Sequence, residues 1–459
     1  TFKKAIPVNG LSYILILAAL VACTGKTGDS STQTPTLTSS FLSDALVHVP
    51  PTAGLYAYNT FTPGSAGFPA VGGVYKDPIF GGVIRRLTNT VDKPNKEDIY
   101  GHHWANANGT FAFSRQSTGV GTTTLHIINT ITGVKVYTDQ PLGSVAFDIA
   151  WDAIDPNKYY YYTGNFLVRR NLADLPVPID TPMKDFGTPL EANGGSLNTQ
   201  DRSGRYFTVR YGGSNKVWDS QTDIIYSGSV TPLNLNGWVA ITPDGNYLVT
   251  AAGPTALPHK EHYSYFIDHI AQSISPTPVN FWGLCGDHGV LASTTEGKNY
   301  FITFDCNSIP GIWRVDITLD QAGKTETEQH DANLLLLPLA FGTATTVSTN
   351  DGHLSAVSKE GPNQNWVFFD SETFSGYDPF DFPPTDWQPY EQEIIAMNVN
   401  TLEVRRYAHH RSRGLSSSYY AQPRISCSWD GSIILWTSNY NTSSPTGYAD
   451  LYGMAFSGN

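Results

Sequence analysis

The strongest constraint on this chain is a unit that it repeats, two apolar runs joined by a tight turn built on Asp or Gly. Residues 422–439, QPRISCSWDGSIILWTSN, are the clearest copy, with the turn at Asp430-Gly431. Six relatives precede it, over residues 102–115, 147–163, 196–210, 238–251, 287–304 and 353–371. An Asp-Gly pair between β-prone runs is a strong hairpin signal. A lone hairpin is marginal in water, so such units have to bury their faces on one another.

Turn-to-turn spacings run from about forty to fifty residues early in the chain to about seventy at its end, the blade period of a propeller with growing insertions. The expected fold is therefore all-β, a seven-bladed propeller of four-stranded antiparallel blades over residues 53–459. Composition agrees: only 15% of residues are charged, while Gly (42), Pro (29), Tyr (25) and Phe (22) are plentiful and Met (3) is scarce. That is a turn-rich, strand-rich balance. A second signature, strand–short turn–strand, lies between the hairpins in LHIINTITGVKVYTD, KVWDSQTDIIYSG and EIIAMNVNTLEVRRYAHH. It suits an outer strand leading into the inner strand of the next blade. Residues 74–90 are expected to close the ring against residues 450–456, which leaves few strand edges exposed.

The N-terminus carries a different message. Lys3-Lys4 precede an apolar run that ends in Leu20-Val21-Ala22-Cys23, which resembles a bacterial lipobox. The resemblance implies cleavage before Cys23 and lipidation of its thiol. The alternative is a retained membrane helix, since residues 5–22 span about 18 positions, near the lower limit for crossing a bilayer. Residues 24–52 are rich in Ser, Thr and Pro and read as a flexible tether. Both readings place the propeller outside the cytoplasm on a bacterial membrane, cell surface or outer membrane. A net charge of −12 argues against nucleic acid as a partner.

Of the four Cys, Cys285 and Cys306 flank one hairpin. With its turn centred on Thr295-Glu296 they fall opposite each other, at a spacing that a disulfide can bridge in an oxidising compartment. Two buried thiols are the alternative. Cys427 is expected to be a small buried residue in a strand.

The hairpins ITPDGNYLVT and SWDGSIILWTSN resemble the SPDG-type hairpins of TolB-like and WD-repeat-like propellers, over about residues 75–456. This implies the fold and leaves activity open, because propellers host unrelated functions.

Polar residues fall at what read as the starts of second strands: His102 and His103, His288, His353 and Arg424. They are expected to converge on one face around the channel. Long insertions at residues 253–263, 371–392 and 409–421 open on that face, a common way to build a binding surface. Three chemistries compete. His102, His103, His288 and His353 could hold a divalent metal through imidazole nitrogen, with a loose similarity to oligogalacturonate-lyase-type propellers, where histidines hold a metal. A lyase acting on acidic polysaccharide needs a base and a cation for the substrate carboxylate. His288, His353, Tyr419 or Tyr420, and Arg424 supply those residue types. The third reading is structural, with polar side chains plugging the channel and bonding to blade-end backbone. Three other stretches read as structure: Tyr159–Tyr162 as sheet packing rather than stacking for sugars, the acidic stretch 370–386 as a solvated loop rather than a calcium site, since Asp378, Asp381 and Asp386 lack the alternation of a dedicated calcium loop, and His409-His410-Arg411 as an exposed basic run.

The leading expectation is a membrane-anchored surface-binding or structural module that could pack with like subunits into a coat. The rival is a polysaccharide lyase or other glycan-processing enzyme.

Overall fold

The computed structural model describes residues 41–44, 56–57, 61, 64–89, 96–98, 103–117, 123–139, 149–173, 175–191, 199–233, 237–251, 261–284, 289–305, 309, 311–338, 351–372, 386–387, 390, 392–412, 422–440 and 449–459. The chain divides into two units, Thr1–Leu37 and Thr38–Asn459, and all described residues lie in the second.

That unit is a seven-bladed β-propeller. Blade 1 holds Lys96–Asp98, Phe111–Ser117, Thr123–Asn129 and Lys135–Asp139, and blade 2 holds Ala150–Trp151, Lys158–Thr163, Phe166–Asn171 and Ile179–Asp185. In blade 3 the Gln200–Phe207 bridge stands in for an inner strand beside Tyr206–Tyr211, Ser214–Asp219 and Ile224–Ile225. Blade 4 runs Trp238–Ile241, Tyr247–Ala251 and His262–Asp268, with Val279–Trp282 and Ser273–Ile274 sharing its outer position. Blade 5 runs Gly289–Ser293, Asn299–Asp305, Gly311–Asp316 and Leu334–Pro338, with the short helix Glu326–Ala332 before its last strand. Blade 6 runs Asp351–Ala356, Trp366–Glu372, Glu393–Asn398 and Val404–His409.

Blade 7 closes the ring with both chain ends. Ser426–Cys427, Ile433–Ser438 and Asp450–Ala455 come from the C-terminus, and Val83–Arg86 and Val74–Lys76 complete the sheet. The seam pairs Tyr452 with Arg86 and Gly453 with Arg85. Buried Asp450 receives Arg86 Nη2 at 2.7 Å and the Thr88 hydroxyl at 3.0 Å.

The turns of blades 2, 4 and 7 share one device, an Asp carboxylate that accepts backbone N–H groups just ahead of it. Asp430 Oδ1 takes Ser432 N at 2.9 Å, Asp152 Oδ1 takes Ile154 and Asp155 N, and Asp244 Oδ1 takes Asn246 N. This Asx-type bonding is why Asp recurs at these turns. Gly431 has φ +69°, and a Cβ there would sit 2.4 Å from Val357 Cγ2 in blade 6. The turn thus needs Gly for its backbone and for docking on the neighbouring blade.

The core lies between blades. Tyr159 and Tyr161 face the cluster shared with blade 1, while Tyr160 and Tyr162 face blade 3 residues Phe207, Val209 and Trp218. Strand alternation explains this split, and all four rings are buried. Trp151 stacks on Phe113 across the blade 1–blade 2 interface at 4.2 Å, and its Nε1–H donates to Trp104 O. Burying one such indole contributes about 4–6 kcal/mol as an upper bound.

Three expectations change. The second sequence signature forms the third-to-outer hairpin of one blade, as in Thr123–Asn129 with Lys135–Asp139 and Glu393–Asn398 with Val404–His409. Its turns are short, and a short turn closes an antiparallel pair within one sheet rather than crossing to the next. The expected 24–52 tether contains a strand, Leu42–Asp44, which adds to the outer edge of blade 6 through Leu42↔Arg406 and Asp44↔Val404. Arg405 stacks over the Phe41 ring there, 4.6 Å from its centroid. Three paired residues are too few to leave a periodic signal against a Ser/Thr-rich background. Finally, the hairpin of blade 5 pairs Gly289 with Thr303, which centres its turn on Glu296, one position from the expected register. Cys285 and Cys306 lie outside the described residues.

Among the described residues no helix is long and apolar enough to cross a membrane. The apolar run and Cys23 lie outside them.

Candidate functional site

The tight turn of each repeat joins the inner strand to the second strand. Residues that open a repeat therefore sit at the start of inner strands, not second strands as the sequence reading had it. The inner strands Gly289–Ser293, Asp351–Ala356 and Ser426–Cys427 lie side by side. Their starts share one end of the propeller with the ends of second strands. The connections after Tyr247–Ala251, after Trp366–Glu372 and after Val404–His409 leave from that same end. Among the described residues, His353 and Arg424 therefore lie at the same end of blades 6 and 7, at the starts of their inner strands.

At this end of blade 6 the sheet carries a group of buried acids and bases. His353 opens the inner strand, with Asp370 its register partner on the second strand. Glu372 follows two residues on and so shares the face of Asp370. His353 Nδ1 lies 3.1 Å from Glu372 Oε1 and 3.9 Å from Asp370 Oδ1. Donor atoms of all three residues fall within 4.8 Å of one another. Both carboxylate side chains have no exposure, and that of His353 has 14%.

The backbone fixes this arrangement. Asp370 accepts the His353 N–H and, across the blade boundary, the Ile425 N–H at 2.8 Å. Gly352 has φ +149°, and a Cβ on it would fall 2.0 Å from the Asp370 carbonyl oxygen. Only glycine lets the strands approach this closely beside the cluster.

The group continues outward. Glu393, on the third strand, pairs with Arg406 of the outer strand with both side chains fully buried. The Arg406 guanidinium also lies over the rings of Phe80 and Tyr390. The Ser371 hydroxyl accepts Glu393 N at 2.8 Å, and the Ser371 carbonyl meets His410 Nε2 at 3.0 Å. His409, His410 and Arg411 are buried, at 0%, 0% and 3% exposure, which corrects the expectation of an exposed basic run. Asp77, from the N-terminal segment, accepts N–H groups from Ile79, Phe80 and His409. Burial raises its pKa above the usual carboxylate value.

The other sequence candidates divide. Arg424 is described and lies just before the inner strand of blade 7, with φ +49° and 1% exposure. Its neighbour Ile425 donates to Asp370, so its backbone borders the cluster. His103 stands apart. Its ring stacks on Trp429 at 4.3 Å, Nδ1 lies 3.3 Å from the Cys427 carbonyl, and Nε2 lies 2.8 Å from Ser358 Oγ. Burial lowers its pKa to about 4, so the ring is neutral at physiological pH. A neutral imidazole facing a carbonyl must donate from Nδ1, and so accepts the Ser358 hydroxyl at Nε2. Both nitrogens are committed to holding blades 1, 6 and 7 together. His102, His288, Tyr419, Tyr420 and Cys23 lie outside the described residues.

Sequence reasoning missed Asp370 and Glu372 as site residues, because Asp370 was read as the start of a solvated loop. The available signal was WVFFDSE itself, where two carboxylates at alternate positions end an otherwise apolar strand.

No protein-family model matches this chain, and no curated protein matches it. Among solved structures it is similar to a chain titled Kuenenia stuttgartiensis hydrazine synthase. The identity is 11% and the TM-score 0.43, over 78% of this chain and 96% of that one. A likeness at that level carries no argument about activity or ligand.

Proposed function

We propose that this chain is a binding or structural propeller, carried outside the cytoplasm on a bacterial membrane by its N-terminal segment. Its ligand, or neighbouring copies in an ordered assembly, meets the His353 end of blade 6. The observation that carries this reading is the burial of Arg424, at 1% exposure. A lyase on acidic polysaccharide needs a cation open to the substrate carboxylate, and among the described residues Arg406 of this blade is spent on Glu393 while Arg411 is buried. Long insertions on one rigid face are the usual construction of a binding surface.

Fractionation of cells expressing the full chain tests the anchoring. The protein is expected with the membranes, and intact mass separates a lipidated Cys23 from a chain beginning at Thr1. Recovery in the soluble fraction with residues 1–22 absent and Cys23 unmodified overturns the reading.

One observation favours a second reading, glycan processing. Glu372 sits against His353 Nδ1 as a carboxylate orients a general base. Incubation with a panel of uronate-containing polysaccharides separates the two. Binding without a rise in ultraviolet absorbance supports the first reading. A rise that is lost in His353→Ala supports the second.

A further inference from the structure

We infer that His353, Asp370 and Glu372 form a binding site for a divalent first-row transition ion such as Zn2+ or Mn2+. The donor set is one imidazole and two carboxylates, the mixed nitrogen–oxygen chemistry that suits these ions. Metal–donor bonds of about 2.0–2.2 Å put neighbouring donors of a tetrahedral or octahedral ion about 3–3.5 Å apart. His353 Nδ1 and Glu372 Oε1 are 3.1 Å apart, and Nδ1 and Asp370 Oδ1 3.9 Å. Donor atoms of all three lie within 4.8 Å of one another, so a shift of about an ångström in the carboxylates brings them onto one ion.

Preorganisation is the second argument. All three residues stand on paired strands, with their common face set by the His353↔Asp370 register and by the two-residue step to Glu372. Asp370 accepts the His353 N–H at Oδ1 and the Ile425 N–H at Oδ2, which fixes the plane of its carboxylate. Sites carried on strands hold geometry better than sites on loops. Three protein donors leave a coordination position for water or a ligand group, and the His353 side chain is the member of the three with solvent exposure. The site is independent of whether the propeller binds glycans, processes them or packs into a coat.

The test uses the full chain stripped of metal with a chelator and then dialysed against ZnCl2 or MnCl2. Elemental analysis and calorimetry read stoichiometry and affinity. Because the chain has 12 His, the comparison with variants carries the result. One ion per chain is expected in the wild type, with at least tenfold weaker binding in His353→Gln and in Glu372→Gln. Asp370→Asn is avoided because that carboxylate also holds backbone. No retained ion in the wild type, or equal binding in both variants, overturns the site. If neither variant folds, X-ray absorption at the metal edge on the loaded wild type decides: one nitrogen and two oxygen protein donors support the site, and any other donor set overturns it.

Discussion

The guanidinium of Arg406 and the carboxylate of Glu393 meet side by side inside blade 6, Nε to Oε2 at 2.6 Å, with neither side chain exposed. Removing one member of a buried pair leaves a desolvated charge behind, which costs about 3–5 kcal/mol. Glu393→Gln and Arg406→Met are each expected to lower stability by that order in equilibrium denaturation. The double variant is expected to lose less than the sum of the two. A loss near 0.5 kcal/mol for either, typical of a surface pair, would contradict the burial.

His103 makes part of the stability depend on pH. Burial lowers its folded pKa to about 4 from an unfolded value of 6.5, so the unfolded chain binds the proton first as pH falls. Its contribution is complete above pH 6.5 and declines toward pH 4, below which both states are protonated. The shift corresponds to at most about 3 kcal/mol, reduced by solvent screening because the ring is only partly buried. Comparing the melting temperatures of wild type and His103→Gln across this window isolates the effect. The gap between them is expected to narrow as pH falls from 7 to 4. A constant gap would show that His103 titrates normally.

Cys427 is buried at 0% exposure, and burial pushes its thiol up to about 12. Only the thiolate is nucleophilic. Alkylation of the native protein at pH 8 is expected to leave the Cys427 peptide unmodified by mass spectrometry, while the unfolded protein is labelled there quantitatively. Native labelling on the same timescale would contradict the packing of blade 7 against Ser355 of blade 6.

Trp151 joins blades 1 and 2 by its stack on Phe113 and its bond to Trp104. Trp151→Ala is expected to cost about 3–5 kcal/mol. Hydrogen exchange should rise first in Phe111–Ser117 and Lys158–Thr163, on either side of the interface. A uniform rise in all blades would mean that the ring unfolds as one unit.

Scaffold was easier to read from the sequence than site, for a physical reason. Turn chemistry is local, so Asp430-Gly431 and its six relatives were visible as hairpins, and their count set the number of blades. Alternation is local too, and Tyr159–Tyr162 read as strand packing, which the structure shows on both faces of the sheet. Pairing between distant stretches is not local. His353 was found because it opens a repeat, but its partners Asp370 and Glu372 come to it through strand register. His409, His410 and Arg411 look solvated by composition. They are buried because the N-terminal segment returns over them, with Asp77 accepting the His409 N–H. The strand Leu42–Asp44 was hidden for the same reason, since its partner lies in blade 6.

The proposed functional centre lies at the His353 end of blade 6. Anomalous diffraction from crystals of the full chain soaked in Zn2+ or Mn2+ tests it most directly, with data on both sides of the metal edge. One strong peak is expected among His353, Asp370 and Glu372, about 2.0–2.2 Å from a donor atom of each. No peak there, with the ion bound only at surface histidines, would contradict it.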